Sequence, residues 1–384
     1  MEGLDNFKWL EANIIFVTLH GSRAYGLNDE LSDTDIKGIC IPPRDIGDNL
    51  FHRFEQVENH QFIENKLKHL KNPKNPKFES VIYSLRKFMV LAAGVNPNII
   101  ELLWTDPTDH FVSKPLMLGL FENRRLFLSS KAKFTFSGYA FAQAAKIERH
   151  RKWIVLGDLK KPKREDFGLP VERARQLDEV FGFVKSEVER WNLSRFPMEE
   201  LERADLKETI WELVGNVSKL QVGWDNWPQA YEVAIVNKIA KEYDLKDEVV
   251  ALLHKEREYK RAREQYTSWV NWKQNRNKDR AILEEKSGYD TKHASHLVRL
   301  MRMGWEILTL GKVIVKRPDR EEILAIKNGD WSYDRVMEYA KEMRSRLDSA
   351  YTITKLPKSV DGEKINKLYH QLNEEYHSAN VCSV

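Results

Sequence analysis

The sequence predicts an α+β protein, a small mixed-sheet head followed by a body that is almost wholly helical. Three observations carry this. Short β-branched and apolar runs, separated by turn-rich stretches, are confined to the first ~100 residues. Beyond Asn96, apolar residues recur at helical spacing over roughly 130–155, 170–192, 200–220, 229–282, 291–310 and 333–350. A length of 384 residues exceeds one small core, because single domains run to ~100–200 residues. The expected division is 1–120 for the head and 121–384 for the helical body, of which 157–282 carries the fewest distinguishing signals.

Each element has a local cause. Ile14-Ile15-Phe16-Val17-Thr18-Leu19 is a buried-strand pattern, and Gly21 and Gly26 punctuate the turn-rich stretch His20–Asn28. A second strand is expected over Asp33–Ile41, ended by Pro42-Pro43. The run Lys66–Lys77 carries five lysines and two Asn-Pro steps, which reads as an exposed loop. Val81-Ile82-Tyr83 is a third short strand. Leu85, Phe88, Met89 and Ala92 then repeat at helical spacing up to a C-cap at Gly94. In the body, the loops Gly157–Pro170 and Gly223–Pro228 separate helical segments.

Composition excludes several classes. Hydrophobic content of 42% with 31% charged residues and a mean hydropathy of −0.57 suit a soluble protein with long charged helix faces. No apolar run approaches the ~18–20 residues of a membrane span. Met1–Glu11 lacks the basic and apolar regions of a signal peptide, and Cys382 stands third from the end, outside the prenylation pattern. A cytoplasmic protein with no membrane partner is expected. Two cysteines, Cys40 and Cys382, exclude a disulfide framework or a cysteine-rich metal site. The net charge of +4, from 62 basic and 58 acidic residues, is too balanced to name a nucleic-acid partner.

The chemistry is concentrated in His20-Gly21-Ser22-Arg23-Ala24-Tyr25-Gly26-Leu27 and Ser32-Asp33-Thr34-Asp35-Ile36-Lys37-Gly38. Gly21 lets backbone approach phosphate oxygens with no Cβ in the way. Ser22 adds a hydroxyl donor beside Arg23, and helix-start N–H groups there receive negative charge. Asp33 and Asp35, two apart on a strand, project from one face. Their Cα separation of roughly 6–7 Å suits carboxylates converging on two metal ions about 3.5–4 Å apart. Oxygen ligands select Mg²⁺ or Mn²⁺ over zinc. Glu79 is the candidate third carboxylate. A lone Asp-x-Asp also marks solvated strand faces. Strand, Gly-Ser, short helix and Asp-x-Asp in that order is far more specific.

Gly21-Ser22 with Asp33-x-Asp35 resembles the signature of the DNA polymerase beta superfamily. The longer text resembles the RNA-ligase-associated predicted nucleotidyltransferases of bacteria and phages. The matching stretches are Gly21–Gly26, Ser32–Gly38, Ile82–Phe88, Asn96–Leu103 and Phe134–Tyr139. The densest runs from Tyr289-Asp290-Thr291-Lys292-His293-Ala294 through Arg299, Gly304, Gly311-Lys312 and Val315-Lys316-Arg317-Pro318 to Trp331-Ser332. Leu156–Asp279 contributes least. The resemblance implies a nucleotidyl-transferring head on a helical domain, a role in RNA repair and a functional link to an RNA ligase. It implies phosphate held by Ser22, and metal held by Asp33, Asp35 and the third acid. That third position is Asp in the family and Glu79 here.

Weaker signals come from cations. Lys292, His296, Arg299 and Met303 share one face of a helix whose other face holds Ala294, Leu297, Val298 and Met301, so a basic stripe facing the carboxylates and binding nucleotide is weighed evenly against a solvated face. His293 and His296 form an H-x-x-H pair with no evident third metal ligand. Lys146, Arg149, His150 and Lys152 either close over the nucleotide or form a solvated face. Over Lys255–Arg280, Tyr259, Tyr266, Trp269 and Trp272 suit base stacking, but the first three also fit one buried stripe. The expected activity is NMP transfer from an NTP, ATP favoured, to a hydroxyl of RNA, with two Mg²⁺ or Mn²⁺ ions. The catalytic carboxylates are Asp33, Asp35 and Glu79, and Gly21, Ser22, Arg23, Lys146, Lys292, His296 and Arg299 bind nucleotide. Two rivals are adenylylation of a protein or small molecule, and a non-catalytic RNA-binding module with a relic site.

Overall fold

The computed structural model describes residues 7–171 and 247–381 except 31, 50, 52 and 277. The expected helices over 170–192 (from residue 172) and 200–220, the loop Gly223–Pro228, the start of 229–282 and Cys382 lie outside the described residues. The chain divides into two compact units, Met1–Ile154 with Ile282–Val384, and Val155–Ala281. The fold is α+β, as expected.

The first unit is built on a mixed five-stranded sheet. Its strands are β1 (Ile14–His20), β2 (Thr34–Cys40), β3 (Gln56–Glu58), β4 (Phe78–Ser84) and β5 (His110–Ser113), in the order β3-β4-β2-β1-β5. β2 runs parallel to β4, and every other pairing is antiparallel. β1 is buried on both faces, which explains its near-continuous apolar text, whereas β2 leaves Asp35 and Lys37 only partly buried on one face. One core holds Phe16, Ile39 and Tyr83 with the helices. The other holds Val17, Ile36 and Ile82 beneath Ile63 and Leu67.

The helices that position the site are α1 (Gly21–Ala24), α2 (Leu85–Ala93) and α3 (Ala132–Leu156). In the second unit α4 spans Asp247–Asn275. Back in the first come α5 (Thr291–Leu310), α6 (Arg320–Lys327), α7 (Tyr333–Ile353) and α8 (Gly362–Val381). Asp290 caps α5 by accepting the His293 N–H at 3.0 Å, and Gly311 ends it at φ +61°. Gly304 lets α5 approach α3, since a Cβ there would lie 2.9 Å from the Phe136 Cβ. On α4, Trp269 is buried and Tyr259 and Tyr266 half-buried, with Tyr259 5.7 Å from Phe167 ring to ring. That stripe follows the packing alternative rather than base stacking. Among the described residues no helix is long and apolar enough to cross a membrane.

Candidate active site

Sheet register gathers the acids. His20 on β1, Asp35 on β2 and Glu79 on β4 are direct cross-strand neighbours, so all three project from one face. Glu79 lies within β4 rather than before it, because the strand starts at Phe78. Asp33 precedes β2 by one residue, where the Thr34 N–H donates to the Lys77 carbonyl at 3.1 Å. Burial drives the Asp35 carboxyl up to about 6, and the charges of Asp33 and Glu79 push the same way against Lys292 and Lys37. One lysine already answers this crowding. Lys77 Nζ is 2.6 Å from Glu79 Oε1 and 3.8 Å from Asp33 Oδ2.

These donors fit divalent cations of the magnesium class. Three carboxylates supply hard oxygen, and the raised Asp35 records negative charge that protein cations only partly answer.

The phosphate side is built from the β1–α1 junction. Gly21 adopts φ +64°, and a Cβ on it would lie 2.0 Å from Asp35 Oδ2. The glycine is therefore needed both for its backbone and for the carboxylate beside it. Gly21→Ala is expected to cost about 1–2 kcal/mol of stability for the left-handed backbone. It should also displace Asp35 and lower activity by about 10²-fold, as a misplaced catalytic group does. Thermal melting and a transfer assay on one preparation check both. Next to Gly21, Ser22 Oγ and Arg23 Nε are buried and find no hydrogen-bond partner among the described residues. Two orphaned donors at a helix start suit an incoming anion.

Behind this loop stands a buried ionic brace that sequence reasoning missed. Glu101 is fully buried. Its Oε1 accepts from Arg299 Nη1 at 2.9 Å and its Oε2 from the Tyr25 hydroxyl at 2.5 Å, with His20 Nε2 at 3.3 Å. The Arg299 guanidinium lies 3.8 Å over the Tyr25 ring. Burial favours protonated Glu101, but Arg299, His20 and Tyr25 overcome it and hold the carboxyl at about 2. Lys37, alongside Asp35 on β2, donates to the Asn98 carbonyl at 2.8 Å. Burial lowers its ammonium to about 8 against the pull of Glu101 and Asp35. The signal for Glu101 was present, an acid inside Ile99-Ile100-Glu101-Leu102-Leu103.

The expected basic stripe is thus divided. Lys292 is exposed and its charge acts on Asp35. Arg299 is only 3% exposed and committed to Glu101, so it is corrected from an open nucleotide contact to an internal anchor of the loop. Met303 is also buried. His296 is half-buried, and burial with Arg299, Lys292 and His293 nearby pushes its pKa well down, leaving a neutral ring. Lys146 is half-buried on α3, and among the described residues no contact joins it to the carboxylates. His150 turns to Asp290 instead of continuing a cationic face with it.

The C-terminal helices tie down the same loop. The Arg317 N–H donates to the Tyr25 carbonyl at 3.1 Å, and Arg320 Nε to the Gly26 carbonyl at 2.5 Å. Arg317 is itself held by two 2.7 Å bonds to Glu306. The text Val315–Pro318 therefore serves the loop at Gly21–Gly26, about 300 residues away in the chain.

Residues 1–155 match the family described as RlaP, the RNA repair pathway DNA polymerase beta family, which is the family the motifs resemble. That match supports nucleotidyl transfer in RNA repair as the class of activity. No curated protein and no solved structure matches the chain.

Proposed function

Proceeding from an N-terminal part that matches the RNA repair pathway DNA polymerase beta family, we propose that the protein transfers NMP from an NTP, ATP favoured, to a hydroxyl of RNA. The observation that carries this is the alignment of Asp35 and Glu79 across β2 and β4, beside the Gly21–Ser22 junction. Asp33, Asp35 and Glu79 would hold two Mg²⁺ or Mn²⁺ ions, which supply charge neutralisation at the triphosphate and the attacking hydroxyl. Ser22 Oγ, Arg23 and the α1 N–H groups bind the β- and γ-phosphates. Lys292 reaches the triphosphate from α5. The acceptor oxygen attacks the α-phosphorus and the bond to the β-phosphate oxygen breaks, so that pyrophosphate leaves. Glu79, half-exposed and beside Asp35 across β2 and β4, would take the proton of the incoming hydroxyl.

Two experiments test the reading. Each labelled NTP is supplied with Mg²⁺ or Mn²⁺ and total cellular RNA and protein. Label in RNA, with release of pyrophosphate, is the expected result, whereas label in protein would favour adenylylation of a partner. No label and no binding of Mg²⁺–ATP would leave an RNA-binding module with a relic site. Lys292→Ala is expected to raise the KM for the NTP roughly ten- to hundredfold, the worth of one charged phosphate contact. Steady-state kinetics with unchanged KM would remove Lys292 from the site.

A further inference from the structure

A second cluster of ligand-type side chains lies where α3 meets the start of α5. His150 Nδ1 is 2.9 Å from Asp290 Oδ2, and His293 Nε2 is 3.5 Å from the same oxygen. One ligand atom from each of the three residues lies within 4.8 Å of those of the other two. Asp290 is 1% exposed, and the two imidazole rings are 5.5 Å apart at their centroids. The missing third residue of the H-x-x-H text is thus supplied by a helix about 140 residues earlier, with Asp290 in place of His296.

We propose that His150, Asp290 and His293 form a separate site for one divalent transition ion of the zinc class. The site stands independently of the nucleotidyl-transfer reading, because it shares no residue with Asp33, Asp35 and Glu79. Imidazole nitrogen favours zinc, cobalt, nickel or copper over magnesium and calcium. Bonds of about 2.0–2.2 Å in a tetrahedral arrangement set ligand atoms roughly 3.3–3.5 Å apart. The 3.5 Å separation matches that spacing, and the 2.9 Å contact of His150 with Asp290 would open by about half an ångström around an ion.

The surroundings orient the donors as they do around bound metal. His293 Nδ1 is 2.8 Å from Gln143 Oε1, so the ring donates Nδ1–H to that carbonyl and presents Nε2 toward Asp290 Oδ2. In the neutral ring Nε2 is a donor atom for a cation held jointly with that carboxylate. The other oxygen of Asp290 accepts the His293 backbone N–H, which fixes the carboxylate without using Oδ2. The rival arrangement is a triad held by protons alone, with the same shape and no ion. The ion would link α3 to α5 on either side of Lys292, the α5 cation whose charge acts on Asp35.

The test uses the full chain, stripped with chelator and titrated with Zn²⁺ and Co²⁺ by calorimetry under excess Mg²⁺. One equivalent per chain is expected, unaffected by Asp33→Asn or Asp35→Asn. His150→Gln and His293→Gln should weaken binding by about 100-fold or more, and Gln143→Ala by about 10–100-fold. Zn²⁺ should raise the melting temperature of the wild type and leave that of the His variants unchanged. Absence of a Zn²⁺ equivalent in the wild type would overturn the proposal. So would an equivalent that survives in the His variants and disappears with Asp33→Asn. Should the His variants fail to fold without metal, Gln143→Ala decides, and unchanged affinity there overturns the site.

Discussion

Arg299→Met is expected to destabilise the protein by about 3–5 kcal/mol, the range for stranding one partner of a buried ion pair. Glu101 is fully buried and would keep only Tyr25 and His20 as partners. Methionine preserves much of the volume, so the loss reports charge rather than a cavity. The pH dependence follows from the signs. In the wild type Glu101 is held at about 2, below its ordinary range, so the brace contributes fully above pH 4–5 and fades as pH falls toward 2. In the variant, burial without Arg299 raises that carboxyl, and acidification relieves the stranded charge. The gap between the two proteins should therefore be widest near neutral pH and narrow on acidification. Adding Glu101→Gln to the variant should recover a large part of the loss, because neither charge then remains buried alone. Urea unfolding of the four proteins in the cycle measures this. A loss under 1 kcal/mol for Arg299→Met would show that the brace is not what holds Glu101. The Tyr25 ring lies under the guanidinium, so the loop at Gly21–Gly26 should loosen and transfer slow as well.

What the sequence made legible was local. The strand at Ile14–His20, the Gly21 turn, the acids at Asp33 and Asp35 and the helix from Leu85 each have a pattern confined to a few residues. The mixed sheet and helical body followed from those patterns. The short edge strands Gln56–Glu58 and His110–Ser113 were missed because they have little buried alternation to read. Glu79 was seen, but its strand was read three residues short at its start, since Phe78-Glu79-Ser80 lacks an apolar run. The larger miss concerns charge. Arg299 and Glu101 are 198 residues apart, so the apolar setting of Glu101 does not point to its partner. Period-3.6 reasoning put Arg299 on a basic stripe, whereas the buried acid drew it inward. His150 was placed on a cationic face for the same reason, because its partner is set by helix packing and not by spacing.

Asp33→Asn and Asp35→Asn should abolish nearly all transfer while leaving the metal-free fold intact. Each keeps the shape of the side chain and removes charge that would clamp the ions. A barrier increase of about 4–6 kcal/mol corresponds to roughly 10³–10⁴-fold in rate. Stability should move in the opposite direction for Asp35. Burial, Asp33 and Glu79 raise its carboxyl from 3.8 to about 6, so the folded state binds that proton more readily than the unfolded chain. Ionisation therefore penalises the fold above pH 6, by an amount on the order of 2–3 kcal/mol, and the penalty disappears as pH falls below 4. In chelator, Asp35→Asn should be as stable as the wild type or more stable at pH 7.5, and the advantage should shrink toward pH 5. Lys77 bridges Glu79 and Asp33, so Asp33→Asn should gain less. Added Mg²⁺ and nucleotide should then raise the melting temperature of the wild type more than that of either variant. Melting curves with and without Mg²⁺–ATP, taken on the assayed samples, separate the outcomes. Lost activity accompanied by unfolding in chelator would make Asp33 and Asp35 structural. Full activity in both variants would refute their catalytic role outright.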